Sequence, residues 1–330
     1  MAGRLLDTCD ALLVDLDGTV YRGGEAVPGV PAALDAVRAD GVAVRFVTNN
    51  ASRSPSAVAA HLTGLGITAD PGEVSTSAQA GALVLAEHLA PGAEVLIVGS
   101  PALADEVRAV GLVPTDHAGP RTAAVVQGLA QDIAYPLLAE ATVAVRAGAL
   151  WVACNVDKTI PTERGLLPGN GALVAAVREA TDAEPVVAGK PAAPLMEASI
   201  AASGAKAPLV VGDRLDTDIE GAAAVGIPSL FVLSGVDTPA SLLAAEPHRR
   251  PTHVARDVAG VFRPEAELAV GPKAAWSVAG GTVRGDGDPL DLLRALCAVA
   301  WSTGLPRLRA DGDAADRALT ALGLSISAIG

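Results

Sequence analysis

The sequence predicts an α/β protein, a doubly wound parallel sheet with a second α/β unit inserted into it, and three observations carry that expectation. First, strand-length apolar runs at Ala11–Val14, Val42–Val47 and Glu73–Thr76 alternate with helix-length segments at Ala32–Asp40 and Pro55–Leu65. The runs are nearly continuous, the pattern of strands buried on both faces of a parallel sheet. Second, 330 residues is long for a single core, so more than one domain is expected. Third, the runs stop abruptly in polar, chemistry-bearing residues, and doubly wound sheets place their ligands beyond the carboxyl ends of their strands.

Composition narrows the function before any motif is read. Half the residues are apolar but only 2% are aromatic, so small aliphatic side chains fill the core. A net charge of −13 argues against nucleic acid or an anionic membrane as the main partner and suits a small-molecule substrate. The three cysteines, Cys9, Cys154 and Cys297, are distant and odd in number, which excludes a disulfide framework or CxxC site and suggests a reducing compartment. No apolar run reaches the roughly 18 residues of a membrane span, and the N-terminus lacks a charged region followed by an apolar one. A cytoplasmic protein is the expectation. Lysine is scarce: Lys158, Lys190, Lys206 and Lys273 are the complete set.

The elements follow in order. The first strand ends in Asp15-Leu16-Asp17-Gly18-Thr19, and a Gly-rich turn occupies Tyr21–Gly24. The helix to Asp40 is closed by Gly41, and the second strand ends in Thr48-Asn49-Asn50-Ala51-Ser52. A second unit then begins, with strands at Glu94–Ser100, Thr122–Gln127 and Leu150–Asn155 and helices at Ala102–Val110 and Pro136–Ala147. Residues 154–171 read as a long polar, Gly/Pro-rich connection, and Ala172–Ala180 as a helix. Val186–Gly189 leads into Lys190-Pro191, and Pro194–Ser203 is helical. Leu209–Val211 is a short strand ending in Gly212-Asp213, with Asp216 and Asp218 close behind, then a helix at Ile219–Val225 and a strand at Pro228–Leu233. Beyond Arg263 the character changes to a hairpin around Gly280-Gly281 and helices at Pro289–Ser302 and Asp313–Leu322, with no catalytic cluster.

Each strand end has an ordinary structural reading. Asp15 and Asp17 can belong to a strand followed by an Asp-Gly turn, Thr48-Asn49-Asn50 to a turn, Asp213 and Asp218 to a helix cap, and Lys190 to a solvated loop. Taken together they favour chemistry. In an extended segment the i, i+2 spacing puts the Asp15 and Asp17 carboxylates on one side, where they repel unless a cation joins them. Metal-assisted phosphoryl transfer needs that arrangement, with Asp15 as nucleophile and Asp17 as acid and base. Mg²⁺ would be bound by Asp15, the Asp17 carbonyl and Asp213. Thr48, Asn49 and Asn50 are candidates for the phosphoryl oxygens, Lys190 for neutralising their charge, and Asp218 for orienting Lys190 or a metal-bound water.

The segments DLDGT (15–19), TNNAS (48–52), AGKP around Lys190 and GDRLDTDI (212–219) resemble the haloacid dehalogenase superfamily in order and spacing across about residues 10–235. Asp17 is the mark of its phosphatases. The long insert and PTERGLLPGNGA (161–172) are similar to the subgroup with a large α/β cap that includes nitrophenylphosphatase-like, NagD-like and phosphoglycolate phosphatases. The resemblance implies a Rossmann-like core at 1–79 and 185–262, a cap at 80–184, and an extension at 263–330 of unknown role. It also implies that cap residues read the substrate, the candidates being Asn155, Asp157, Lys158 and Arg164; Val156 stands where the family often has proline. Some members of this subgroup carry a C-terminal segment of about this length and act on glycerol phosphates, a resemblance that points to glycerol 3-phosphate, with 2-phosphoglycolate next. A UMP-type nucleotidase is the enzymatic rival, although the insert offers only Tyr135 and Trp151 for stacking. A dinucleotide-binding oxidoreductase would need GxGxxG and a P-loop NTPase GxxxxGK[ST], and neither follows the first strand. A binding protein acting through its extension is the rival of another class. That extension has three open roles: covering the core, forming a homodimer, or surviving as part of an acetyltransferase-like domain.

Overall fold

The computed structural model describes residues 3–162, 164–304 and 307–324. Glu163, within the 161–172 stretch, and the end of the extension from residue 325 lie outside the described residues. Eleven strands make two parallel sheets: β1 (Ala11–Val14), β2 (Ala43–Thr48), β3 (Val74–Thr76), β4 (Glu94–Val98), β5 (Val113–Thr115), β6 (Thr122–Gln127), β7 (Leu150–Ala153), β8 (Val186–Val187), β9 (Pro208–Gly212), β10 (Ser229–Val232) and β11 (His253–Ala255). One sheet has the order β11-β10-β9-β1-β2-β3. Within it Val14 lies opposite Val211, Val211 opposite Leu230, and Phe46 opposite Val74, all in parallel pairs. The chain leaves β1 toward β2 and β3 and later returns to β1's other side with β9. That reversal of strand order is where a doubly wound sheet opens a crevice, at the carboxyl end of β1. Asp15 is the next residue.

Packing divides the described chain into two compact units. One holds the residues up to Arg45, Leu65–Thr68 and the chain from Ser203 on; the other holds Phe46–Gly64 and Ala69–Ala202. These segments differ from the domains expected at 80–184 and on either side of it. The loop after β2 bonds to other residues of the second unit. The Asn49 carbonyl accepts from Ser77 Oγ at 2.6 Å and Asn155 Nδ2 at 2.7 Å, and the Ala51 carbonyl accepts from Ser100 Oγ at 3.1 Å.

The second unit contains the insert's sheet, β8-β7-β6-β4-β5, parallel throughout. One face buries Leu96, Val125 and Trp151 against Ala141, Ala144 and Val145 of the helix Tyr135–Arg146 and Val174 and Val177 of Asn170–Thr181. The connection expected to be irregular contains an antiparallel hairpin, Thr159–Thr162 with Gly165–Pro168. A helix at Ser77–His88 and the strands β5 and β11 were not expected; at three residues each, such strands have no readable periodicity.

In the first unit the extension forms the expected hairpin, β12 (Trp276–Ala279) with β13 (Thr282–Gly285), and adds β14 (Arg309–Ala310) parallel to β13. Its helix Pro289–Thr303 is part of the unit's core. Leu292, Leu293, Leu296 and Cys297 join Leu215, Ile219, Phe231, Leu242 and Val254 in one apolar cluster. Arg294 is fully buried there, its guanidinium donating to the Val254 carbonyl from Nε (3.0 Å) and Nη2 (2.6 Å) and to Asp291 from Nη1 (2.6 Å). Trp301 Nε1 donates to the Leu242 carbonyl. The extension therefore covers core surface, and its removal would expose it. Among the described residues no helix is long and apolar enough to cross a membrane.

Candidate active site

Three carboxylates meet in the first unit. Asp15, Asp213 and Asp218 each place an oxygen within 4.8 Å of the other two. Asp15 continues β1, its N–H bonded to Val211 O of β9 at 2.9 Å; Asp213 directly follows β9; Asp218 lies one turn further on, in the helical turn Leu215–Ile219. Asp213 and Asp218 are buried and Asp15 is half-buried.

Main chain and glycine shape the cradle. Thr19, itself buried, donates its hydroxyl to Asp213 Oδ1 at 3.0 Å, and the Val236 N–H donates to Oδ2 at 2.7 Å. Arg214 N–H donates to Asp218 Oδ2 at 3.2 Å. A Cβ on Gly18 or Gly235 would run into the Asp213 carboxylate, and one on Gly212 into Asp218. Gly18 also holds φ +93°, the left-handed region that favours glycine. Ser234 Oγ ties the Gly18 carbonyl at 2.8 Å, closing the loop over Asp213.

Burying carboxylates beside one another costs several kcal/mol per ion, and their mutual repulsion adds to that cost. A cation resolves the repulsion, and an all-oxygen, anionic donor set suits a hard divalent ion. The residues present fit such an ion.

Asp17 is placed differently from the expectation. Its carboxylate is solvent-accessible, and the close partners of Asp15 are Asp213 and Asp218. Loss of water on its protein side pushes the Asp17 carboxyl above the usual carboxylate range, with the Arg214 charge pulling it back. Arg214 is itself paired with Asp216 at 3.0 Å. Asp218, expected to orient Lys190 or a water, is a full member of the acidic cluster.

A second cluster lies in the second unit. Lys190 is not a solvated loop residue: it is 2% exposed, and its Nζ donates to the Val47 carbonyl at 2.9 Å. Asn49 clasps its backbone, Oδ1 accepting from Lys190 N–H at 2.8 Å and Nδ2 donating to the Lys190 carbonyl at 2.9 Å. Asn49 Nδ2 also reaches Asp157, 3.2 Å from Oδ2 and 3.4 Å from Oδ1. The carboxamide is thus engaged within the protein at every group, so Asn49 can offer a phosphoryl oxygen only its main chain. Thr48 closes β2 half-buried, its Oγ1 accepting from Asn50 N–H at 3.1 Å. Asn50 is exposed and holds its own loop, its Oδ1 accepting from Ser52 N–H, Ser52 Oγ and Arg53 N–H.

The other expected substrate readers divide. Asn155 is 6% exposed and spends Nδ2 on the Asn49 carbonyl and Oδ1 on the Asp157 N–H, the place of a structural residue. Lys158 is exposed, and Arg164 is exposed on the turn of the 159–168 hairpin. Sequence reading missed Thr19, Ser234 and Gly235. The one available signal was a Ser-Gly pair just beyond β10, beside the strand that carries Asp213.

The chain is similar to known proteins over most of its length. A haloacid dehalogenase-like hydrolase family model matches residues 12–113, a second HAD-hydrolase-like model matches 187–261, and a GCN5-related N-acetyltransferase-like model matches 273–324. The chain is 54% identical over 290 residues to the D-glycerol 3-phosphate phosphatase of Mycobacterium tuberculosis, covering 86% of this chain and 81% of that protein. It is 39% identical over 230 residues to an acid sugar phosphatase of Staphylococcus saprophyticus, covering 69% of this chain and 88% of that one. The crystal structure of the glycerol phosphate phosphatase of Mycobacterium tuberculosis in complex with magnesium superposes with a TM-score of 0.93 at 50% identity, over 98% of this chain and 100% of that one.

Proposed function

The chain belongs to the haloacid dehalogenase-like hydrolases and is a phosphatase, and we propose that it works with Mg²⁺ on small phosphate monoesters, with D-glycerol 3-phosphate as its substrate. The observation that carries the reading is the cluster of Asp15 with the buried Asp213 and Asp218, whose mutual repulsion a hard cation would relieve. Mg²⁺ bound by Asp15, Asp213, Asp218 and the Asp17 carbonyl would offset charge among these carboxylates and on the substrate.

The chain's own groups carry the reaction. Asp15 attacks phosphorus, the ester P–O bond breaks, and an aspartyl-phosphate forms on Asp15. Asp17 gives its proton to the departing alkoxide, a role suited by a carboxyl whose pKa is raised. The Asp17 carboxylate then takes a proton from water as that water's oxygen attacks phosphorus, which frees Asp15 and releases inorganic phosphate. The reading assigns Thr48, the Asn49 main chain and Lys190 to the phosphoryl oxygens. It assigns residues 80–184 to a cap that reads the leaving group, with the exposed Arg164 as its candidate.

The insert's aromatics favour a small leaving group over a nucleoside. Trp151 is 3% exposed and bonded through Nε1 to Gln127, so it offers no stacking face; Tyr135 is 82% exposed on a helix start. A cytoplasmic site of action fits three free cysteines. Phosphate release tests the substrate directly, with both glycerol 3-phosphate enantiomers, 2-phosphoglycolate, UMP, a hexose phosphate and nitrophenyl phosphate, each with Mg²⁺ and with EDTA. The highest kcat/KM is expected for D-glycerol 3-phosphate, abolished by EDTA. Preference for UMP would overturn the substrate, and EDTA-insensitive turnover would overturn the metal.

A further inference from the structure

We propose that Asn49 and Asp157 are positioning residues for Lys190, a role that rests on reading Lys190 as the cation facing the phosphoryl group. The Asn49 carboxamide bonds both peptide groups flanking the Lys190 Cα, accepting from the N–H at 2.8 Å and donating to the carbonyl at 2.9 Å. Two bonds on either side of one Cα set the direction in which the side chain leaves the backbone. For a lysine, whose long side chain has many free rotamers, that constraint is what a preset site requires.

Asp157 reinforces the way the carboxamide faces. Turned over, Asn49 would present Nδ2 to the Lys190 N–H and its oxygen to both the Lys190 carbonyl and the Asp157 carboxylate. Donor would meet donor and acceptor would meet acceptors, so the carboxylate adds to the Lys190 peptide groups in selecting the orientation that holds Lys190. Gly189 leaves room for this approach: a Cβ there would stand 2.6 Å from Asn49 Oδ1 and overlap the Cys154 carbonyl. The Asn49 peptide is fixed in turn by Ser77 and Asn155. The chain of support thus runs from Ser77, Asn155 and Asp157 through Asn49 to one buried lysine.

The test is a double-mutant cycle together with lysine labelling. Asn49→Ala and Asp157→Ala are each expected to lower kcat/KM about tenfold, and Lys190→Ala about 10²-fold. In the Lys190→Ala background neither change should cost anything further, because both act through that lysine. Asp157→Asn keeps an acceptor for Asn49 Nδ2 and should restore most of the activity. Multiplicative losses in the double variants, or Asp157→Asn failing like Asp157→Ala, would overturn the proposal. With only four lysines in the chain, an amine-reactive reagent read by mass spectrometry reports each one separately. Asn49→Ala and Asp157→Ala should raise the labelling of Lys190 several-fold while Lys158, Lys206 and Lys273 keep wild-type rates. Unchanged labelling of Lys190 would overturn the proposal whatever the activity. Raised labelling in a protein that hydrolyses none of the panel would keep the positioning and refute the phosphatase reading alone.

Discussion

The acidic cluster and the lysine cluster are held in different ways. Around Asp213 and Asp218 main chain does much of the shaping: the Val236 and Arg214 N–H groups and three glycines whose missing side chains make the space, beside the Thr19 hydroxyl. Around Lys190 the Val47 carbonyl meets the ammonium, but its own backbone is held by side chains, Asn49 and behind it Asp157, Ser77 and Asn155. Backbone has nowhere to move, whereas a carboxamide or carboxylate can be replaced by a group that does part of its work. The first cluster should therefore fail abruptly when altered, and the second by degrees.

The largest effect is expected from Asp15→Asn. Losing the nucleophile should cost at least about 10³-fold in phosphate release. Without metal the same change removes one of three crowded anions, so its thermal midpoint in EDTA should equal or exceed wild type's. Activity retained within tenfold would remove Asp15 from the chemistry. Lost activity with a much lower midpoint would make the residue structural instead.

Gly235→Ala is next and tests the claim about backbone. The added methyl would overlap the Asp213 carboxylate, so Mg²⁺-dependent turnover should fall about 10²-fold, with a higher Mg²⁺ requirement. Gly24→Ala is the matched control, since a Cβ there meets nothing within 4 Å and its stability should stay within about 0.5 kcal/mol of wild type. If Gly235→Ala titrates with Mg²⁺ like wild type, the glycine cradle is not what sets the cluster.

The same contrast explains what could be read in the sequence. Asp15, Thr48 and Asp213 were legible because continuous apolar runs stop at them, and a strand end in a doubly wound sheet is a known address. Asp218 was legible as a neighbour but not as a member of the cluster, because the turn at Leu215–Ile219 folds it back. Thr19 and Gly235 were silent, since a hydroxyl or a glycine near a turn has many ordinary uses. Asn49 was assigned to the substrate although its carboxamide serves Lys190; an amide reads identically whether its partner is ligand or protein. The extension's helices were visible, but their destination was not. Arg294, which reads as a surface charge, is fully buried on the Val254 carbonyl.

The smallest expected effect separates the two units by their response to acid. In the first unit, burial lowers the pKa of His253 below its ordinary 6.5, although Glu265 lies 3.5 Å away and pulls upward. Below pH 6.5 the unfolded chain then binds a proton that the folded unit resists, so this contribution to stability is complete above 6.5 and is lost as pH falls toward the folded pKa. In the second unit, burial, with the Asp105 charge adding to it, raises Glu106 above its ordinary 4.5. Between 4.5 and that raised value the folded unit holds the extra proton, so its contribution shrinks as pH rises. The slopes are opposite in sign. Amide hydrogen exchange from pH 7.5 to 5, corrected for the intrinsic rate, should show β10 and β11 losing protection while β4 and the helix Pro101–Ala109 keep or gain it. His253→Gln should flatten the first trend and leave the second untouched. Equal loss of protection in both units, unaffected by that substitution, would mean that acid acts through groups common to the whole chain and not through these two.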